Sequence, residues 1–329
     1  MVSNDRAAQV FVPYNADMAP TIPVSGRFAK RLSYVLKNCR NFPLIAASMA
    51  LLPGFWPIDS FAGPGASSDI HKPTIVVLDP PEKDFFSKLL DFQGIPIKAH
   101  AVVADEAMYA AYSRLSRQLE HLPMVISNLA AAGAELHIIG RDQVTTDLPE
   151  WRQDKGKPIY EPSYNGLTRD QRTRGMGGRL TSCGEENLLQ LEKDKYHGRD
   201  ICLHEFAHTI RNYGIQPEVR AKFDAQYRRS LERGIWKGSY AGSKPDEFFA
   251  ELTMWYFGTH GDLHMKDPRP ENGPEGLKKY DSEAYALMED FYSGRIPITK
   301  LEPRRRFRRE KDYAVGPTTK APSATREQK

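Results

Sequence analysis

No apolar run in the sequence is long enough to span a membrane comfortably. The run Phe42–Trp56 (FPLIAASMALLPGFW) is bracketed by Pro43 and Pro53, whereas a spanning helix needs about 20 apolar residues. The body of the chain also lacks the basic excess typical of nucleic-acid binders, because residues 63–302 carry 31 basic and 36 acidic side chains. These absences argue against a stable membrane span and against nucleic acid as a partner.

Acidic residues are absent between Met18 and Ile58. Five basic residues precede the apolar run, and the small-x-small triplet Ser60-Phe61-Ala62 follows it. This order is typical of a secretory signal, although the basic part is unusually long. We therefore predict that residues 1–66 are a removable leader with a linker, and that the protein is secreted or otherwise extracytoplasmic. The alternative is a disordered arm whose apolar patch packs on the folded domain.

Phosphate-binding loops of the common kinds are also missing. The glycines at 175, 177 and 178 fit neither G-x-x-x-x-G-K-[ST] nor G-x-G-x-x-G. We interpret residues 151–199 as a polar loop that ends in an edge strand, for which Asn187–Leu191 is the candidate.

The residues that are present indicate a metal site in the segment His204-Glu205-Phe206-Ala207-His208. Histidines four residues apart lie on one face of a helix, so both can hold one metal ion. The glutamate beside them can take a proton from a water molecule on that metal. Flanking apolar residues predict a buried helix: Ile201, Leu203, Phe206, Ala207 and Ile210. The alternative is a buried histidine pair beside a surface glutamate.

A catalytic zinc usually takes a third protein ligand. The compact metzincin pattern is excluded because Arg211 and Gly214 occupy its glycine and histidine positions. His260 and His264 lie in a Gly/Asp-containing loop and fit less well than a helical glutamate. Glu247 and Glu251 share one face of a predicted apolar helix, where buried carboxylates need a partner. The spacing does not choose between these two glutamates.

The combination of HEFAH, Tyr240 and the run Glu247-Phe248-Phe249-Ala250-Glu251 resembles one group of zinc peptidases. That group is the gluzincins that include the catalytic domain of anthrax lethal factor and the bacterial Pro-Pro endopeptidases. The resemblance covers about residues 200–258. It implies that Glu247 is the third zinc ligand, that Tyr240 faces the reacting carbonyl, and that Glu251 supports the site from behind.

The resemblance implies an α+β fold of the zincin type: a small mixed sheet with a substrate-binding edge strand, the HExxH helix and a glutamate-bearing helix. We expect one metallopeptidase domain over residues 67–302 and a basic disordered tail over residues 303–329. The expected activity is endopeptidase cleavage of a protein or peptide substrate, with one Zn²⁺ per chain. The alternative is a noncatalytic surface-binding protein that retains the metal-site scaffold and binds through its arginine-rich tail.

Cysteine is scarce, with three residues at Cys39, Cys183 and Cys202. Removal of the leader would leave an even number, and an exported domain would then be expected to pair Cys183 with Cys202. In a cytosolic protein, two free buried thiols would be expected instead.

The hydrophobic pattern predicts further strands and helices around the metal-binding helix. Predicted strands are Pro73–Leu78, Ile95–Val103 and Glu135–Ile139. Predicted helices are Asp105–Ala132 with a break or kink at Pro123, Pro217–Arg233, a helix that begins after an N-cap at Ser243, and Leu277–Tyr292.

Overall fold

The computed structural model describes residues 73–160, 165–259, 265 and 269–302. The predicted leader, the basic tail, His260 and His264 lie outside these residues. Within them, helices are combined with one mixed sheet, as the sequence predicts.

Six strands of the described chain form this sheet in the order β1-β2-β3-β4-β6-β5. Their bounds are β1 Val76–Glu82, β2 Phe86–Phe92, β3 Ile95–Ala99, β4 Glu135–Ile139, β5 Gly175–Met176 and β6 Leu180–Gly184. Strand β2 pairs antiparallel with β1 and β3, whereas β4 pairs parallel with β3 and β6. The short β5 pairs antiparallel with β6 and forms one edge of the sheet.

The helices of the described chain pack around this sheet and against one another. Their bounds are α1 Asp105–Leu119, α2 Pro123–Ala132, α3 Arg169–Arg172, α4 Glu185–Leu188, α5 Ile201–Thr209, α6 Pro217–Glu232, α7 Pro245–Tyr256, α8 Pro274–Tyr280 and α9 Ser282–Tyr292. A π-helical turn, Ile210–Gly214, follows α5 directly. No helix in the described part of the chain is sufficiently long and apolar to cross a membrane.

The core begins between the sheet and the crossover helices that connect β3 to β4, and the same hydrophobic cluster continues among helices α5 to α9. Met108, Ala111 and Leu115 of α1 recur at helical spacing and are fully buried, as are Ile97 of β3 and Leu136 of β4. The predicted strand β4 is confirmed. The helix predicted at 217–233 is confirmed to within one residue at its end.

Two predicted helices are each divided into two. Pro123 does not kink a long helix but is the first residue of α2, where its missing N–H is not needed for helical hydrogen bonds. The helix predicted over 277–292 breaks at Asp281, whose carboxylate accepts a hydrogen bond from the Ala284 N–H at 3.2 Å and so caps α9. The predicted break at Pro123 is confirmed, whereas the sequence periodicity continues across Asp281 and does not reveal the second break.

The prediction of an edge strand at Asn187–Leu191 is wrong, because Glu185–Leu188 forms α4. The Asn187 side chain donates to the Arg199 carbonyl at 2.7 Å and accepts from the Ile201 N–H at 2.9 Å. These bonds from a side chain to the backbone fix the loop before α5. They are typical of a loop or turn and not of a paired strand. The edge strand that precedes α5 is β5.

Two other predicted strands are shifted or shortened. The first begins at Val76 and runs to Glu82 instead of covering residues 73–78. The second ends at Ala99, because the Val103 N–H bonds the His100 carbonyl at 3.1 Å and closes a turn.

The structure pairs Cys183 of β6 with Cys202 of α5, with 5.1 Å between their Cα atoms. Both residues are fully buried. The bond connects the sheet to the helix that carries both histidines. Cys202 lies two residues before His204, the first of them.

We expect the double variant Cys183→Ala/Cys202→Ala to lose about 3 kcal/mol of unfolding free energy, because the bond restricts the unfolded chain. Urea unfolding followed by circular dichroism would measure the loss. Addition of a reducing agent is the control, because it should destabilise the wild type but not the double variant. Alkylation of Cys183 and Cys202 in unfolded, nonreduced protein would contradict the pairing.

Candidate metal centre

The helix α5 begins at a well-defined N-cap. The Asp200 carboxylate accepts from the Leu203 N–H at 3.1 Å, and the Arg114 Nε donates to the same carboxylate at 2.7 Å. The flanking apolar residues that predicted a buried helix are all buried. This framework fixes the direction in which the two histidines project.

Three side chains meet between α5 and α7. The Nε2 atoms of His204 and His208 are 3.3 Å apart, and Oε2 of Glu247 lies 3.1 Å from the first and 3.3 Å from the second. Zinc bonds of about 2.0–2.1 Å at tetrahedral angles place ligand atoms about 3.3–3.4 Å apart. The three atoms therefore fit one zinc ion.

Among the described residues, these three side chains form a group whose ligand atoms are close enough together to hold one metal ion. Two imidazole nitrogens that face each other at 3.3 Å cannot both be bare acceptors without a cation or proton between them. The donor set of two nitrogens and one carboxylate oxygen also suits zinc.

The charges of the site also favour a bound cation. Burial alone would raise the pKa of Glu247, but contacts with His204 and His208 hold it well below its usual range. Burial would lower the pKa of His204, whereas ion pairs with Glu247 and Glu251 raise it to about 10. The carboxylates therefore favour positive charge beside them, which a bound metal ion would supply.

Glu251 lies behind the first histidine. Its Oε1 is 3.2 Å from Nδ1 of His204, on the side of the ring opposite to the metal-facing Nε2. Arg199 donates to the same carboxylate oxygen at 2.5 Å, and both side chains are largely buried. The geometry thus places Glu247 in the ligand group and Glu251 outside it, a choice that sequence spacing left open.

Glu205 lies on α5 where the helix passes under the edge strand β5. The side chain is partly buried and lies against Gly175 of β5, where an added Cβ would be 3.2 Å from Oε1 of Glu205. Burial raises the pKa of Glu205, while the charges of His204 and His208 oppose this. A carboxylate in this position can serve as a proton acceptor beside the ligand group.

Tyr240 lies in the turn between α6 and α7. Its ring is nearly parallel to that of His204, with 6.3 Å between the centroids. Burial of the hydroxyl end and the charges of Glu247 and Glu205 raise the pKa of Tyr240 above its ordinary value. The residue is nevertheless 38% exposed, so a ligand can reach its ring from solvent.

The expected N-cap at Ser243 is not formed. The N-cap residue of α7 is Lys244, and the Ser243 hydroxyl donates instead to the Tyr240 carbonyl at 2.7 Å. Lys244 Nζ lies 3.3 Å from Oε1 of Glu247, the oxygen that does not face the histidines. Neither contact follows from the Ser-x-x-acid spacing.

Two glycines explain how closely β5 approaches α5. A Cβ atom at Gly175 would lie 2.7 Å from Ile201 Cγ2 and 3.0 Å from Glu205 Cγ. A Cβ atom at Gly177 would lie 2.8 Å from Cβ and 3.0 Å from Cδ2 of His208. Sequence reasoning tested these glycines for phosphate binding and missed their role in packing. Arg199 was also missed, because a single arginine before a helix carries no signal.

No family model matches the chain. Among solved structures, it is similar to the Pro-Pro endopeptidase PPEP-2 from Paenibacillus alvei, with 22% identity and a TM-score of 0.42. The alignment covers 57% of this chain and 92% of the other. A likeness this distant carries no argument about function, which must rest on the residues of the site.

The variant Gly177→Ala should weaken zinc affinity by about tenfold or more, because the added methyl group would displace His208. Competition with a chromogenic chelator measures this affinity. Gly178→Ala is the matched control: its φ of +140° makes alanine strained, but an added Cβ meets no atom within 4 Å. An equal loss of zinc affinity in both variants, or no loss of affinity in Gly177→Ala, would contradict the packing role.

Proposed function

We propose that this protein is a zinc-dependent endopeptidase with a zincin-like catalytic domain. The observation that carries the proposal is the spacing of 3.1–3.3 Å between the ligand atoms of His204, His208 and Glu247, with Glu205 beside them. Structural zinc sites usually have four protein ligands, whereas catalytic sites have three. The described residues supply three.

In this proposal His204, His208 and Glu247 hold one zinc ion per chain. When bound, zinc supplies a Lewis acid that acidifies water and polarises a carbonyl group. Glu205 accepts the proton of the attacking water and then delivers it to the leaving amine. The close packing of its side chain against Gly175 of β5 limits the movement of the carboxylate.

Tyr240 is the proposed donor to the oxyanion that develops on the scissile carbonyl. The proposal is supported by the parallel packing of its ring on His204 and by its exposed position. Glu251, held by Arg199, orients His204 through Nδ1. Carboxylates in this place commonly fix the tautomer and direction of a metal-binding histidine.

The proposed substrate is an extended segment of a protein or peptide. Strand β5 pairs on one side with β6 and lies next to Glu205, and Gly177 just after the strand lies next to His208. An extended peptide could add to its other side by backbone hydrogen bonds. We also propose that the protein is exported, which the Cys183–Cys202 pair favours because disulfides persist in oxidising compartments.

The variant Glu205→Gln should retain zinc but lose about 10²–10⁴-fold in hydrolysis, because an amide cannot accept the proton. A peptide library with zinc-loaded protein would first identify a cleaved sequence, and metal analysis would show the zinc content. Glu218→Gln, on the exposed start of α6, is the matched control.

Full activity of Glu205→Gln would exclude Glu205 as the base. A zinc-loaded wild type that cleaves no member of the library would contradict the endopeptidase itself.

A further inference from the structure

The position of Tyr240 depends on a turn rather than on a helix or strand. Residues 236–242 form this turn between α6 and α7, and we call it the Tyr240 turn. A donor to a developing oxyanion must be held within a few tenths of an ångström of its working position. The contacts that hold this turn therefore affect the proposed reaction, so the inference rests on the proposed function.

Hydrogen bonds within the turn define its shape. The Trp236 carbonyl accepts from both the N–H and the hydroxyl of Ser239, at 3.1 and 2.7 Å. The Gly242 N–H donates to the Ser239 carbonyl at 3.2 Å, and the Ser243 N–H donates to the Tyr240 carbonyl at 3.0 Å. A Cβ atom at Gly242 would lie 2.0 Å from the Trp236 carbonyl oxygen, so this close folding requires glycine.

The turn begins with a residue in an unfavourable backbone conformation. Trp236 has φ of +61°, in the left-handed region that bulky residues rarely adopt. Such a conformation is unfavourable and persists only where the surroundings hold it. The Trp236 side chain is fully buried among aromatic residues, with Tyr280 at 4.9 Å and Phe248 at 6.4 Å between ring centroids.

One directional bond connects this tryptophan to the residue between α8 and α9. Its Nε1–H donates to Oδ2 of Asp281 at 2.9 Å, and the Ser230 hydroxyl donates to the same oxygen at 2.6 Å. The other oxygen of Asp281 caps α9, and the residue is fully buried. The carboxylate thereby connects the end of α6, the Tyr240 turn and the start of α9.

We propose that the hydrogen bond from Trp236 to Asp281 is a positioning contact for Tyr240. The bond fixes the rotation of the indole, and the fixed indole holds Trp236 in its left-handed backbone conformation. This conformation positions the hydrogen bonds of Ser239 and Gly242, which lie on either side of Tyr240. Asp281 and Trp236 do not touch the reacting atoms. They act through the turn, 45 residues apart in sequence.

The test uses Trp236→Phe, which keeps an aromatic ring but removes the Nε1–H. Hydrogen–deuterium exchange of the Ser239, Gly242 and Ser243 amides should accelerate about tenfold, because their acceptors lose a fixed position. Hydrolysis should lose about tenfold in kcat, with KM and zinc content unchanged. In a Tyr240→Phe background, Trp236→Phe should have no further effect on kcat, because two changes that act through one contact are not additive.

Trp255→Phe is the matched control. Trp255 is 4% exposed, its ring centroid lies 6.5 Å from that of Trp236, and its Nε1 has no hydrogen-bond partner among the described residues. The same change of ring therefore breaks no hydrogen bond, and exchange and kcat should match the wild type. Asp281→Asn is a second test variant. Asparagine keeps the size and the capping oxygen, but the NH2 group that then faces the indole cannot accept its hydrogen bond. This variant should reproduce the Trp236→Phe effects.

The outcomes separate the two proposals. Unchanged exchange in Trp236→Phe, equal effects in Trp255→Phe, or a full further loss in the Tyr240→Phe background would overturn the positioning role. If the wild type hydrolyses no peptide but exchange accelerates in Trp236→Phe and Asp281→Asn alone, the endopeptidase proposal fails while the anchoring of the turn is confirmed.

Discussion

The contact between His204 and Glu247 is the interaction on which the rest of the site depends. It brings a buried imidazole and a buried carboxylate from α5 and α7 to 3.1 Å. Buried charges of this kind are stable only with compensating charge and fixed geometry. The surrounding structure supplies the geometry: the disulfide and the Asp200 cap hold the start of α5, and Arg211 just after it pairs with Asp246 at the start of α7.

The same contact explains the arrangement around it. Once the Nε2 atoms of the histidines face Glu247, the other nitrogen of His204 faces Glu251, one helical turn further along α7. The edge strand β5 reaches α5 because glycines occupy its closest points. Glu205 is then enclosed between the ligands and the strand. A single pair of facing helices thus places the proposed ligands, base and substrate edge within one region.

The sequence predicts well those features that arise from local spacing. The i,i+4 histidines and the apolar stripe of α5 follow from helical periodicity, and the paired cysteines follow from the count expected of an exported domain. Features that depend on how elements meet were not predictable. Glu247 and Glu251 occupy the same helix face, so the approach angle of α5 decides which one meets the histidines. The edge strand was predicted at Asn187–Leu191, but Glu185–Leu188 forms α4, and the edge strand before α5 is β5. Ser243 has the spacing of a cap, but its hydroxyl bonds the Tyr240 turn.

The most direct test of the central claim is the metal content of purified protein by mass spectrometry, with the wild type measured beside Glu247→Ala and Glu251→Ala. We expect about one zinc per chain in the wild type, loss of zinc in Glu247→Ala, and retention in Glu251→Ala with affinity weaker by about 10–100-fold. Full zinc in Glu247→Ala would remove Glu247 from the ligand set. A wild type that binds no zinc even when it is supplied would contradict the metal site as a whole.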